Sequence, residues 1–262
     1  MQAQPHGLDA RAALKQLAQH VNAQAVGVLH KFTGFLERLA HTHVAQQFQQ
    51  RVLVVERFDR LVASNEMQLL RLMQEDFCQA TGTSPQIKYE NEGGPGLMAM
   101  FTLTQQSLDA QRDFRTLMAS QILFWMLRAP DGHAKNFSIQ LQAGMAGRFR
   151  LTPIYDVMSA FPVMGDGPNQ WAQQEIKLAM ALLGKNRHYH VHHIERRHFN
   201  STAKKVGYGE SAETLLDELI ARTPGVVAQV QAELPGDFSQ RVADKVLDGL
   251  LASARSLGQS GG

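Results

Sequence analysis

A long apolar segment that runs directly into a polar turn is the feature that most constrains how this chain can fold. Residues 109–129, DAQRDFRTLMASQILFWMLRA, repeat apolar side chains at the spacing of one helix face, and Pro130 ends the pattern. Residues 130–141, PDGHAKNFSIQL, follow at once and carry a carboxylate, an imidazole, an ammonium and a carboxamide close together. The pattern predicts a buried helix whose C-terminal end presents chemically active side chains.

The segments around this helix predict a mixture of helices and short strands. The apolar, β-branched run at 52–55 predicts a buried strand, and it leads directly into Glu56, Arg57 and Phe58. Residues 137–142 and 147–157, with AGMAG between them, predict a β-hairpin. Helix-forming residues fill 63–82, and further helices are predicted at 174–184, 191–206, 211–222, 225–233 and 238–256. We therefore expect an α+β fold that is mostly α.

Composition narrows the class of protein. A content of 44% apolar and 19% charged residues is typical of a globular domain, and a net charge of +2 argues against a strongly basic nucleic-acid binder. The one cysteine, Cys78, excludes a disulfide within the chain, so we expect a cytoplasmic protein. We expect no membrane partner, because no signal peptide is visible and no stretch reaches the roughly 18 apolar residues of a membrane span.

Three oxygen-bearing side chains suggest a chemistry for the polar turn. Asp131 and Asn136 are five positions apart, and Asp156 follows the second strand of the predicted hairpin. Phosphoryl transfer from ATP needs a carboxylate to take the proton of the acceptor hydroxyl, and a carboxamide and a second carboxylate to hold magnesium. The catalytic loop of protein kinases has the same spacing. Because so short a motif also arises by chance, a turn-capping role for Asp131 stays open.

Seven motifs occur in an order that resembles one protein family. They are VLVVERFDR, QEDFCQATG, KYENEGGPG, PDGHAKNFSIQL, LTPIYDVMSA, KLAMALLGKNRHY and IERRHFNSTAKKVG. Together they resemble the C-terminal region of HipA-like serine/threonine kinases, the toxins of bacterial type II toxin–antitoxin pairs. The resemblance implies a protein-kinase-like C-terminal helical lobe over residues 44–256, with a short β-hairpin at the catalytic cleft and a remnant of the N-lobe and hinge. Residues 1–43 would be a helical N-terminal segment, and 257–262 a flexible tail.

The resemblance also implies site residues, cofactors and partners. Asp131 would be the catalytic base, and Asn136 and Asp156 would bind Mg²⁺. The ATP-binding residues would be Glu56, Arg57, Phe58, His133, Ala134, Lys135, Asn136, Tyr155 and Asp156. The implied partners are a HipB-like DNA-binding antitoxin, through which the chain would meet DNA only indirectly, and a protein substrate, which in some family members is an aminoacyl-tRNA synthetase.

The N-terminal residues depart from the family pattern. HipA-like kinases carry a phosphate-gripping loop and a strand lysine there, whereas residues 1–43 contain only Lys15 and Lys31, both in helical surroundings. Three interpretations stay open: a truncated kinase, a non-catalytic or split-kinase module that binds an antitoxin or an N-terminal partner, and a metal-dependent hydrolase. The last would use histidines that could equally form an exposed polar surface, namely His190, His192, His193 and His198.

Overall fold

The computed structural model of this protein describes residues 31, 42–47, 50–63, 68–144 and 147–259. Within them, the strands form small antiparallel sheets. β1 (Thr42–Gln47) pairs with β2 (Gln50–Val55), and β3 (Arg60–Val62) pairs with β4 (Leu69–Arg71). β5 (Gln74–Asp76), β6 (Ser138–Leu141) and β7 (Phe149–Leu151) form a three-stranded sheet with β6 in the middle, and β8 (Lys177–Leu183) pairs with β9 (Arg187–His190).

The α-helices hold more of the described chain than the strands do. They are α1 (Phe77–Ala80), α2 (Leu97–Thr104), α3 (Ala110–Leu127), α4 (Arg196–Val206), α5 (Glu213–Glu233) and α6 (Gln240–Gln259). The fold is therefore α+β and mostly α, as the sequence predicted. No helix among the described residues has both the length and the apolar character that crossing a bilayer requires.

Helix α3 is the centre of the hydrophobic core. Every side chain from 116 to 127 is buried, including the polar Ser120 and Gln121. The buried Ser120 hydroxyl has a hydrogen-bond partner, because it donates to the Leu117 carbonyl at 2.8 Å. Each fully buried large apolar side chain contributes roughly 1.5–3 kcal/mol, so α3 is a rigid support for the turn that follows it.

Two segments predicted as helical are strands. The segment predicted as helix 174–184 contains β8, in which all side chains from 178 to 183 are buried. A short run that is apolar at every position fits a buried strand as well as a buried helix, and pairing with β9 favours the strand. In the described residues of the helix predicted within 63–82, α1 is the only helix, because 69–71 and 74–76 pair as β4 and β5.

Parts of both chain ends lie outside the residues that the structure describes. Most of the N-terminal segment predicted as helical at 1–43 lies there, as do residues 260–262. Lys31 is helical, as predicted for its segment. Helix α6 runs to Gln259 and buries Leu257, so it extends into residues 257–262, the segment predicted as a flexible tail.

A pH dependence of stability is expected from the ion pairs between α4 and α5. The buried Arg196 guanidinium binds Glu213 and also Asp217, at 2.5 Å. Its hydrogen bond is the main cause that lowers the pKa of Glu213 below the usual 4.5. The stabilisation is therefore complete above about pH 4.5 and is lost as the pH falls through the lower folded-state pKa.

Thermal unfolding of wild type and Glu213→Gln, followed from about pH 7 to about pH 3, checks this expectation. Wild type should melt higher at neutral pH, and the difference between the two midpoints should shrink on acidification. A difference that stays constant would show that Glu213 does not carry the effect.

Candidate active site

Helix α3 ends at a fixed point just before the polar turn. Its C-cap, Arg128, has a left-handed backbone (φ 54°), and its N–H donates to the carbonyl groups of Phe124 and Trp125. The Arg128 guanidinium lies over the Trp125 ring, 4.4 Å from the centroid, and burial lowers the pKa of this guanidinium to about 10. The helix therefore stops at Leu127, ahead of Pro130, and the turn starts from a rigid base.

The turn packs its backbone directly against an aromatic ring. Gly132 is buried, and a Cβ atom added there would lie 2.3 Å from Cε2 of Phe124. The Phe124 ring packs in turn against Phe137, with the two centroids 5.9 Å apart. Position 132 therefore requires glycine, because the ring already fills the space that a side chain would need.

Hydrogen bonds within the turn bring Asp131 and Asn136 together. The His133 N–H donates to the Asp131 carbonyl at 2.8 Å, and the Asn136 N–H donates to the His133 carbonyl at 2.9 Å. Nδ2 of Asn136 donates to the same Asp131 carbonyl at 2.7 Å. The amide nitrogen is thus engaged, and the amide oxygen is the Asn136 atom that can bind a cation.

The Asp131 carboxylate is fixed on one oxygen and still accessible. The Tyr89 hydroxyl donates to Oδ1 at 2.6 Å, and Nε2 of His133 lies 3.6 Å from the same oxygen. The Tyr89 ring meets the His133 imidazole edge to face, with centroids 5.1 Å apart. The Asp131 side chain is 28% exposed, so it can accept a proton from a bound hydroxyl group.

His133 is a buried imidazole beside three charged side chains. Nζ of Lys88 lies 2.7 Å from its Nε2. An ammonium group can only donate, so Nε2 accepts and the imidazole is neutral. Burial is the largest cause that lowers the pKa of His133, the Lys88 charge lowers it further, and the charges of Asp131 and Asp156 raise it. The two acids therefore lie within electrostatic reach of one ring.

Asp156 follows a segment that is fastened to the turn. Its own backbone is left-handed (φ 57°), a conformation that aspartate tolerates better than most residues, and its side chain is exposed. The preceding Tyr155 donates its hydroxyl to the Lys135 carbonyl at 2.9 Å and shares a 2.6 Å hydrogen bond with Ser138. Burial raises the pKa of Tyr155 to about 12, so this phenol stays protonated.

Lys135, one of the predicted ATP-binding residues, has a carboxylate partner on β5. Its Nζ donates to Oδ2 of Asp76 at 2.8 Å, and this hydrogen bond is the main cause that raises the pKa of Lys135. The pairing of Asp76 with Ser138 between β5 and β6 places the acid beside the turn. The Lys135 side chain is 33% exposed, whereas Ala134 is fully buried.

Of the predicted ATP-binding residues 56–58, Phe58 reaches the site through an aromatic contact. The Phe58 ring lies 5.8 Å from the Tyr155 ring, centroid to centroid. Arg57 binds both carboxylate oxygens of Asp59, at 2.8 and 2.6 Å, which lowers the pKa of that carboxyl group. Glu56 is exposed. In the part of the chain that the structure describes, Glu56 and Arg57 make no hydrogen bond or ion pair with the polar turn.

Sequence reasoning missed three side chains at this site: Asp76, Lys88 and Tyr89. Lys88 and Tyr89 belong to KYENEGGPG, one of the seven motifs, but the sequence predicted no site role for either side chain. A single loop offers no periodicity that says which side chains face a distant turn. The one sequence feature that could have pointed to the site is that a lysine and a tyrosine are adjacent in a motif shared with HipA-like kinases.

A buried carboxylate anchors the segment that carries Lys88 and Tyr89. Glu90 is 7% exposed, and its Oε2 accepts the Ala181 N–H of β8 at 2.6 Å. A guanidinium nitrogen of Arg187 lies 3.0 Å from its Oε1. Burial is the main cause that raises the pKa of Glu90, and both partners oppose that rise. The loop is thereby fixed to β8, which holds its two preceding side chains at the polar turn.

The histidines of 186–198 do not assemble into a metal site. His190, His192 and His193 have neighbouring rings, with centroids 3.9 to 5.8 Å apart. His198 instead stacks on His188 at 4.0 Å and accepts the Glu195 N–H through Nδ1. The described residues contain no group of three or more histidine, cysteine, aspartate or glutamate side chains that could hold a metal.

Comparisons with known proteins place this geometry in a family. The model of the HipA-like C-terminal domain matches residues 28–227. "Putative kinase Y4mE" of Sinorhizobium fredii is 37% identical over 113 residues, which are 42% of this chain and 26% of that protein. The chain thus matches about a quarter of that relative's length.

Two solved structures share the fold. A chain of the Shewanella oneidensis MR-1 toxin–antitoxin complex of HipA, HipB and operator DNA superposes with a TM-score of 0.73 at 24% identity, over 92% of this chain and 56% of that chain. The Helicobacter pylori proinflammatory kinase CtkA gives a TM-score of 0.54 at 10% identity, over 92% of this chain and 85% of that one. The family match covers most of this chain, and the resemblance seen in the sequence is confirmed: the chain belongs to the family of HipA-like C-terminal domains.

Proposed function

We propose that this chain is the catalytic lobe of a HipA-type protein serine/threonine kinase that uses ATP and Mg²⁺. The observation that carries the proposal is the 2.7 Å hydrogen bond from Nδ2 of Asn136 to the Asp131 carbonyl. It holds a carboxylate base and an amide oxygen in one rigid turn, as phosphoryl transfer to a hydroxyl group requires.

Asp131 acts as the base in this proposal. The oxygen of a serine or threonine hydroxyl attacks the γ-phosphorus of ATP, the bond from that phosphorus to the ADP oxygen breaks, and the hydroxyl proton passes to the Asp131 carboxylate. Tyr89 fixes Oδ1 of Asp131, so the other oxygen remains to receive the proton. Orientation of the base is the main contribution of the turn, because positioning provides much of the catalysis of phosphoryl transfer.

Asn136 and Asp156 are the residues that would hold Mg²⁺. An amide oxygen and a carboxylate are the ligand types that this ion prefers, and both side chains belong to segments fastened to β6 or to the turn. When bound, the ion would neutralise charge on the phosphate oxygens. His133, Ala134, Lys135 and Tyr155 would line the phosphates, and residues 56–58 would meet the adenine.

Titration of ATP with and without Mg²⁺ tests the proposal. Wild type should bind ATP, and omission of Mg²⁺ should weaken the binding by about tenfold or more, because the phosphate charge is then less neutralised. Asp156→Asn should remove most of this dependence on Mg²⁺. Asp166→Asn, which changes an exposed loop carboxylate, is the control and should behave as wild type. Absence of ATP binding at millimolar concentration would contradict a kinase function for this chain.

A second candidate function is a non-catalytic module that binds a protein partner. It is favoured by exposed apolar side chains on both faces of the β3–β4 hairpin, where the cross-strand pairs Leu61–Leu70 and Val62–Leu69 are 47 to 65% exposed. Exposed groups of large apolar side chains are typical of interaction sites. Under this hypothesis the same titration shows no nucleotide binding, while the hairpin takes up an antitoxin or an N-terminal partner.

The proposed partners follow from the structural comparison. The Shewanella complex contains HipA, HipB and operator DNA. By analogy, we propose that this chain binds a HipB-like DNA-binding antitoxin and meets DNA only through it. The proposed substrate is a protein hydroxyl group, with an aminoacyl-tRNA synthetase as one candidate class.

A further inference from the structure

Lys88 is a half-buried lysine that points at the proposed catalytic turn. Its Nζ lies 2.7 Å from Nε2 of His133, and that same Nε2 is 3.6 Å from Oδ1 of Asp131. The distance from the Lys88 ammonium to Oδ1 of Asp131 is therefore at most the sum of these two distances. The loop that carries Lys88 is held to β8 by the buried Glu90 carboxylate, so the position of this lysine is fixed by the fold.

The partners of Lys88 in this structure leave its charge largely uncompensated. Among the described residues, its ammonium forms no ion pair with a carboxylate. It donates one hydrogen bond to a neutral imidazole, and it lies 5.0 Å from the centroid of the Tyr89 ring. An ammonium has three donors, so two remain available for another ligand.

The contact with Lys88 also leaves one nitrogen of the His133 imidazole without a hydrogen-bond partner among the described residues. If Lys88 donates to Nε2, the imidazole proton must be on Nδ1. Nδ1 is buried and has no hydrogen-bond partner among the described residues. Buried N–H groups are normally paired, so the imidazole would be better satisfied if the Lys88 ammonium bound another acceptor and the proton moved to Nε2, which faces Oδ1 of Asp131.

The place of Lys88 relative to Asp131 indicates which anion it meets. In the proposed reaction, Asp131 accepts a proton from the hydroxyl group that attacks the γ-phosphorus. One hydroxyl group therefore contacts both the Asp131 carboxylate and the γ-phosphate, and the two lie close together. A cation beside the base is therefore beside the group that is transferred. Negative charge on phosphate oxygens is stabilised by nearby ammonium groups, in the ground state and during transfer.

We propose that Lys88 is a further catalytic residue of this site and that its ammonium binds the γ-phosphate of ATP. The inference rests on the proposed kinase function and adds to it a cation that comes from the C-terminal lobe itself. ADP, which lacks the γ-phosphate, should not engage Lys88.

The test compares the dissociation constants of ATP and ADP, both with Mg²⁺, for wild type, Lys88→Met and Lys88→Gln. Each substitution should weaken ATP binding by about tenfold and ADP binding by less than about twofold, because only ATP loses a charge-assisted hydrogen bond. The ratio of the two constants within one variant is the readout, so a general loss of stability cancels. Two variants are used so that one that fails to fold does not end the test.

Lys204→Met is the matched control, since Lys204 is an exposed lysine that pairs with Glu210 away from the site. It should leave both constants unchanged. If wild type binds ATP but the Lys88 variants weaken ATP and ADP equally, or weaken neither, the role of Lys88 is refuted and the kinase proposal stands. If wild type binds neither nucleotide, the kinase proposal fails and the role of Lys88 fails with it.

Discussion

Asp131→Asn is expected to slow phosphoryl transfer by about 10²–10⁴-fold, the usual contribution of a general base. The asparagine side chain keeps an oxygen that can accept the Tyr89 hydroxyl, so the geometry of the turn should persist. What is lost is the carboxylate that accepts the proton. ATP binding should change by less than about twofold, because in the proposed mechanism Asp131 contacts the acceptor hydroxyl rather than the phosphates.

The measurement is the transfer of labelled γ-phosphate from ATP to proteins of a bacterial extract, together with an ATP titration of the same variant. Asp248→Asn is the control, since Asp248 is an exposed carboxylate on α6. Transfer at the wild-type rate by Asp131→Asn would remove Asp131 from the mechanism. Loss of transfer together with loss of ATP binding would show that the substitution disturbs the site as a whole.

Gly132→Ala is expected to destabilise the protein by about 1–3 kcal/mol, the usual cost of an overpacked core. The added methyl group would lie 2.3 Å from Cε2 of Phe124, and this ring is confined by its own packing against Phe137. The conflict can only be relieved if the turn moves. Because that turn positions Asp131 and Asn136, phosphoryl transfer should fall with stability.

Denaturant unfolding of four variants separates the steric cause from a general one. Phe124→Leu provides room, so the cost of alanine at 132 should be smaller in the double variant than in wild type, as a double-mutant cycle measures. Gly225→Ala is the matched control, because this exposed glycine inside α5 has no atom within 4 Å of an added Cβ. It should be neutral or stabilise by up to about 1 kcal/mol. Equal costs with and without Phe124 would disprove the steric explanation.

Local patterns predicted the elements nearest the site well. Helix α3 is long and has apolar residues at helical spacing, and strands β6 and β7 are separated by a glycine-containing turn. Chain proximity alone also brings Asp131 and Asn136 together, since they share one turn. These features depend on interactions between residues that are close in sequence, which a single sequence can reveal.

The features that sequence reasoning missed depend on distant contacts. The segment LAMALL consists of good helix formers, and only its pairing with β9 and its burial make it a strand. Lys88 and Tyr89 reach a turn more than forty residues away because Glu90 binds Ala181, which lies 91 residues from Glu90 along the chain. No pattern of residues 84–96 contains that information. The same holds for Asp76, whose place is set by the pairing of β5 with β6.

Cys78 lies directly after β5, in α1, and its side chain is completely buried. Burial is the main cause that raises the pKa of its thiol, and the charges of Asp76, Lys135 and Lys88 are near enough to affect it. A thiol reagent can therefore modify Cys78 only when this part of the protein opens. Cys78 is the one cysteine in the sequence, so the rate at which a thiol reagent modifies the protein measures how often the structure next to the proposed catalytic turn opens. This measurement needs no engineered label.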